Sequence, residues 1–94
     1  MSNSEQSKRG YNDTYFSRSH RYSVGIDKLG RRYLSIPVSN GALDYEEYYE
    51  ITPGQYDEFL ADTSAAVDFA DSCRRREQDR LLLQKPGWNR GTPV

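Results

Sequence analysis

"YSVGIDKLGRRYLSIPVSNGALDYEEYYEI", residues 22–51, alternates apolar and polar side chains in three runs separated by two turn signals. In the first run Tyr22, Val24 and Ile26 fall on one side, and Ser23, Gly25 and Asp27 on the other, which is the period of a strand. "DKLG" follows, and Gly30 is free to take the positive φ that a tight hairpin asks for. In the second run Leu34, Ile36 and Val38 oppose Tyr33, Ser35 and Pro37. Pro37 has no N–H to give a ladder, so this strand end is expected at an edge or a bulge. "SNGA" is the second turn and "LDYEEYYEI" the third strand. Three strands joined by short turns read as an antiparallel meander.

Helical signals come next. Thr52 suits an N-cap, Pro53 the first helical position, and Gln55 the far side of a capping box. Tyr56, Phe59 and Leu60 then share a face at i, i+3, i+4 spacing. A break near "ADTS" starts a second helix with Asp62 or Thr63 as its cap, and Ala66, Phe69, Ala70 and Cys73 as its buried stripe. Arg74, Arg75 and Arg76 are expected in its last turns, where the helix dipole favours cations. "RLLLQK", residues 80–85, reads as a fourth strand returning to the sheet, and Trp88 is expected to tuck onto the domain.

The fold class is therefore α+β: a three- to four-stranded antiparallel sheet in meander order with two helices packed on one face. Residues 1–18 lack a clear period and read as an N-terminal arm, residues 19–86 as a single domain, and residues 87–94 as a C-terminal tail. A chain of 94 residues suits one domain with a small core. No apolar run approaches the length of a membrane span, and "MSNSEQSKRG" lacks the apolar centre of a signal peptide. The one cysteine, Cys73, cannot form an internal disulfide, so a reducing, cytoplasmic setting is expected.

The net charge of −1 conceals a strong segregation. Residues 1–39 carry seven basic and three acidic side chains. Residues 40–71 carry nine acids and neither lysine nor arginine, and residues 72–94 carry six basic and two acidic side chains. Such blocks either neutralise one another within the fold or serve a charged partner.

The acidic block centres on "DYEEYYEI", residues 44–51. With a period of two, Leu43, Tyr45, Glu47, Tyr49 and Ile51 make the core face, while Asp44, Glu46, Tyr48 and Glu50 face the other way. Glu47 is out of place on a core face. It is paired with an arginine, of which Arg32 is the candidate, or lies where the sheet is uncovered, or marks a bulge. On the second face like charges repel, which costs stability and has no local reason. A solvated outer face neutralised by Arg21 or nearby cations is one reading, and a binding surface is the other, since tyrosine among carboxylates is a good interface mixture.

Catalytic and metal-binding patterns are not evident. His20 and Cys73 are the only His and Cys, Cys73 falls on an apolar stripe, and His20 reads as a surface or positioning residue. Glu46 and Glu47 are adjacent, so a strand sends them to opposite faces and they do not read as a catalytic or metal-binding pair. No phosphate-loop motif occurs. No enzyme activity, cofactor or metal is expected. "RGYNDTYFSRSHRY", residues 9–22, mixes rings with basic groups as RNA binders do. The pI near 5.8 and the acidic block oppose that reading.

The run "YSVGIDKLGRRYLSIPVSNGALDYEEYYEITPGQYDEFLAD" resembles small bacterial immunity proteins of contact-dependent growth inhibition and related polymorphic toxin systems. The likeness lies in "RRYLSIPVSNG", "DYEEYYEIT" and "YDEFLAD", and it extends over residues 22 to about 83. It implies a protein that binds a cognate toxin domain 1:1 and blocks its active site. Many such toxins are nucleases with basic clefts, and an RNase of the RNase A-like kind is the specific expectation. Asp44, Glu46, Tyr48 and Glu50 are the expected toxin-binding residues, helped by Asp57, Glu58 and Asp62 on the adjoining helix. Neither a membrane nor nucleic acid is an expected partner on this reading. The alternative is an RNA-binding accessory protein that uses the aromatic and basic N-terminal arm.

Overall fold

A computed structural model describes residues 10–94. The first nine residues of the expected arm lie outside the described residues. Four strands run antiparallel in chain order: β1 (Tyr11–Ser17), β2 (Tyr22–Asp27), β3 (Arg32–Ser39) and β4 (Asp44–Ile51). Helices α1 (Pro53–Ala61) and α2 (Thr63–Arg74) follow, then a 3-10 turn (Asp79–Leu81) and a short β5 (Thr92–Pro93) against β3. The α+β class, the antiparallel meander and the two helices are as the sequence indicates.

The meander is one strand longer than expected, because residues 11–17 of the expected arm are β1. Its register against β2 shifts between Asp13 and Tyr15. A bulge of this kind breaks the period of two, which is why "YNDTYFS" shows no alternation. The expected return strand at residues 80–85 is instead the 3-10 turn followed by a single bridge, Leu82 opposite Tyr49. Leu81 and Leu82 serve the core by packing against it rather than by extending the sheet.

The core lies between one sheet face and the helices. Tyr22, Val24, Leu34, Ile36, Val38 and Tyr49 are fully buried there against Phe59, Ala66, Ala70 and Cys73. Each large side chain taken out of water contributes about 1.5–3 kcal/mol before ordering costs. Phe69 packs at the margin of this cluster, while Leu60 is largely exposed and does not share the buried face of α1. The thiol of Cys73 is pushed up to about 12 by burial, the mark of a core cysteine.

Both helix starts match their sequence signals. Thr52 accepts from Gln55 N–H at 3.0 Å, and the Gln55 side chain accepts from Thr52 N–H at 2.9 Å. Asp62 caps α2 by accepting from Ser64 N–H at 3.0 Å and Ala65 N–H at 3.3 Å. Of the three consecutive arginines only Arg74 belongs to the helix; Arg75 caps it, and Arg76 leaves with φ of +63°. Pro37 sits where β2 has ended. Its carbonyl accepts from Val94 N–H at 3.2 Å, so its missing N–H points to the side that only the short β5 reaches.

Candidate partner-binding groove

β4 ends the sheet, so one of its long edges has no neighbouring strand. At the Tyr48 end the chain after the 3-10 turn meets this edge, with Leu83 N–H donating to Tyr48 C=O at 2.9 Å. Toward Asp44 a groove of about 570 Å³ lies among β4, the turn before it and residues 84–89. Because the groove follows a free edge, both faces of β4 contribute: Asp44, Glu46 and Tyr48 from one, Tyr45 and Glu47 from the other. Leu43 and Pro86 add apolar surface, and Lys85 adds a cation.

The tyrosines are preorganised. Tyr48 stacks on Tyr11 of β1 with ring centroids 3.6 Å apart and planes 10° from parallel. Tyr33 meets both rings edge-on, at 5.0 Å and 5.4 Å. Its hydroxyl donates to Asp13 Oδ1 at 2.6 Å. The Tyr33 ring lies over Gly25, where an added Cβ would sit 2.6 Å from the ring carbon that carries the hydroxyl. Burial raises the Tyr48 hydroxyl above its ordinary value and the Glu46 carboxylate raises it further. Burial and the bond to Asp13 do the same for Tyr33. Both rings are therefore neutral phenols at any physiological pH.

The outer wall is fixed by charge. Arg90 forks onto Glu47, with Nε to Oε2 at 2.7 Å and Nη2 to Oε1 at 3.1 Å. The same guanidinium forks onto Asp79, both bonds at 2.9 Å. Tyr49 adds a hydroxyl bond to Glu47 Oε1 at 2.8 Å. Arginine pairing is thus the answer for Glu47, but the partner is Arg90 and not Arg32. Arg32 stands over the Tyr56 ring, 5.5 Å from its centre. Gly91 N–H donates to the Tyr45 hydroxyl at 2.7 Å, and Asn40 Nδ2 donates to Asn89 C=O at 3.3 Å. Residues 89–94, expected as a tail, are thereby bound along the sheet. Trp88 is not tucked in: it sits between the lining residues Gly87 and Asn89 with 96% of its surface exposed.

The seven expected contact residues divide. Asp44, Glu46 and Tyr48 converge on the groove. Glu50 lies further along the same face of β4, opposite Tyr33, and is exposed. Asp57 and Glu58 are exposed on α1, in the helical layer on the other side of the sheet. The Asp62 carboxylate is engaged in capping α2 and is held below the usual carboxylate range, chiefly by the Ser64 hydroxyl. The periodicity of residues 43–51 found the β4 members. Tyr11 and Arg90 were beyond it, since strand pairing and the C-terminal segment bring them in from distant sequence. No protein-family model, no curated protein and no solved structure matches the chain.

Proposed function

We propose that this chain is an immunity protein. In this role it neutralises a cognate nuclease toxin, an RNase of the RNase A-like kind, by binding 1:1 in the cytoplasm and covering the toxin's basic active-site cleft. The observation that carries this reading is the convergence of Asp44, Glu46 and Tyr48 on one groove that exposed Leu43 also lines. Carboxylates steer a basic partner into place, and exposed rings with apolar rims slow its departure. A phosphate backbone would meet repulsion at the same surface.

The aromatic and basic segment at residues 9–22 supports an RNA-binding role less well. Tyr15 is opposite Val24 and Phe16 opposite Ser23, so the two exposed rings of β1 point to different faces. Arg21 is engaged with the backbone, its Nε donating to Val94 C=O at 3.0 Å. Affinity capture of the tagged full chain from its own cells, with mass spectrometry and an RNA stain of the eluate, tests the choice. Recovery of one basic nuclease domain in equimolar amount, inhibited by the purified chain, is the expected result. RNA in the eluate without such a domain would transfer the function to the N-terminal segment.

A further inference from the structure

We propose that this chain forms a two-fold dimer through β1, which pairs antiparallel with β1 of a second copy about Phe16. β1 stands first in the strand order, and among the described residues no strand pairs with its outer edge. The other edge strand, β4, is already met by Leu83. Backbone groups alternate between the two sides of a strand. Ser17 C=O points inward, where it accepts from Arg21 N–H at 2.8 Å, so the N–H and C=O of Phe16 point outward. Unpaired edge groups are a template for another strand, and proteins that must prevent such pairing place lysine or proline along the edge. "YNDTYFS" has neither. Its one safeguard, the bulge between Asp13 and Tyr15, stops short of Phe16 and Ser17.

The occupant is a second copy because β1 complements itself, as a two-fold interface requires. Phe16 lies opposite Ser23 and Tyr15 opposite Val24, so their rings point to opposite faces of the sheet. A two-fold axis through Phe16 keeps those faces. Phe16 then meets Phe16 of the other copy as a hydrogen-bonded pair, and Tyr15 meets Ser17. The two rings, 55% and 44% exposed in the single chain, lose water together. Charges agree as well. Arg18 follows the strand, is exposed, and has no ion-pair or hydrogen-bond partner among the described residues. The same pairing sets it opposite Thr14 of the other copy and beside Asp13. The Asp13 carboxylate accepts from the Tyr33 hydroxyl but has no ion-pair partner among the described residues. The turn that carries Arg18 is fixed, since Arg74 donates to the carbonyls of His20 and Arg21. One pair of strands covers less area than a standard stable interface, so the dimer dissociates on dilution. β4 takes no part, so dimerisation neither needs nor tests the binding role above.

Sedimentation velocity of the full chain, from low micromolar to near-millimolar concentration, is expected to show the average mass rising from one chain toward two. F16P removes an N–H that points away from β2, so β1 keeps its ladder. This variant, folded by circular dichroism, should need at least tenfold more protein for the same rise, and R18D at least threefold more. Register is read by oxidative cross-linking. In a hydrogen-bonded pair the α-carbons stand about 5.5 Å apart, within the span that a disulfide bridges. F16C should therefore cross-link to itself readily, and L29C, exposed between β2 and β3, far more slowly. Cys73 is buried and does not compete. A chain that stays single at every concentration would overturn the dimer. So would a dimer that F16P leaves unchanged, or one in which F16C cross-links no faster than L29C. If single chains recover a captured basic domain and F16P abolishes that recovery, the edge takes a strand of the partner and self-pairing fails.

Discussion

Arg90 is the residue on which most of the local structure converges. It is 12% exposed and Glu47 is 7% exposed, so neither charge has water to fall back on. Asp79 holds the Arg90 guanidinium protonated first, and Glu47 second. Removing one partner of such a pair leaves a stranded charge, which costs about 3–5 kcal/mol. R90A is therefore expected to lower unfolding stability in urea by about 3 kcal/mol, and by clearly less when Glu47 is already glutamine. Equal losses in both backgrounds would mean that the pair is not coupled. Asp27 makes the second residue-scale case. Burial opposes its ionisation, but Arg31 N–H, the Arg31 guanidinium and Leu29 N–H outweigh burial and hold the carboxyl below its usual range. A folded value below the unfolded one stabilises above about pH 4, and that contribution fades as pH falls through the folded value. D27N should cost about 1–3 kcal/mol at neutral pH and flatten the loss of stability in acid, read from urea midpoints between pH 2 and 7.

At the scale of elements, what could be read from the sequence follows from how local each signal is. The two helix starts were legible because a cap and its partner lie within three residues, as Thr52 with Gln55 and Asp62 with Ala65. β2, β3 and β4 were legible because each keeps an unbroken period of two. β1 was not, because the shift between Asp13 and Tyr15 moves the phase midway. Residues 80–83 misled because a short apolar run fits a strand or a packed turn equally well. Site residues divide in the same way: Asp44, Glu46 and Tyr48 follow from alternation along one strand. Arg90 lies 43 residues from Glu47, and only the fold brings them together. Gly25 shows how tightly β1 is seated, since an added Cβ would collide with Asn12 C=O on β1 and with the Tyr33 hydroxyl. G25A should therefore lower stability by about 2 kcal/mol or more and raise hydrogen exchange across β1 ahead of β3. Unchanged exchange in β1 would show that the strand is held by other contacts.

Across the whole molecule, the charge blocks are only partly spent inside. The basic C-terminal block is largely employed: Arg90 pairs with Glu47 and Asp79, Arg74 with Asp71, and Arg75 with Glu77. Arg74 also donates to the carbonyls of His20 and Arg21, holding the turn in which Arg21 has φ of +58°. The acidic block stays mostly at the surface, with Asp44, Glu50, Asp57 and Glu58 exposed. Among the described residues no helix is long and apolar enough to cross a membrane. A surface of this sign should bind a basic domain with an association rate that falls steeply as salt rises.

The most direct measurement is the affinity of wild type and of the E46K/E50K double variant for the captured nuclease domain, by calorimetry at low salt, with circular dichroism confirming the fold of each. Both positions lie on the surface side of β4, so the fold should persist. Loss of at least tenfold in affinity, with the wild-type value itself weakening as salt is added, is the expected result. Equal affinities for the two folded proteins would contradict the assignment of the acidic face of β4 as the surface that meets the partner.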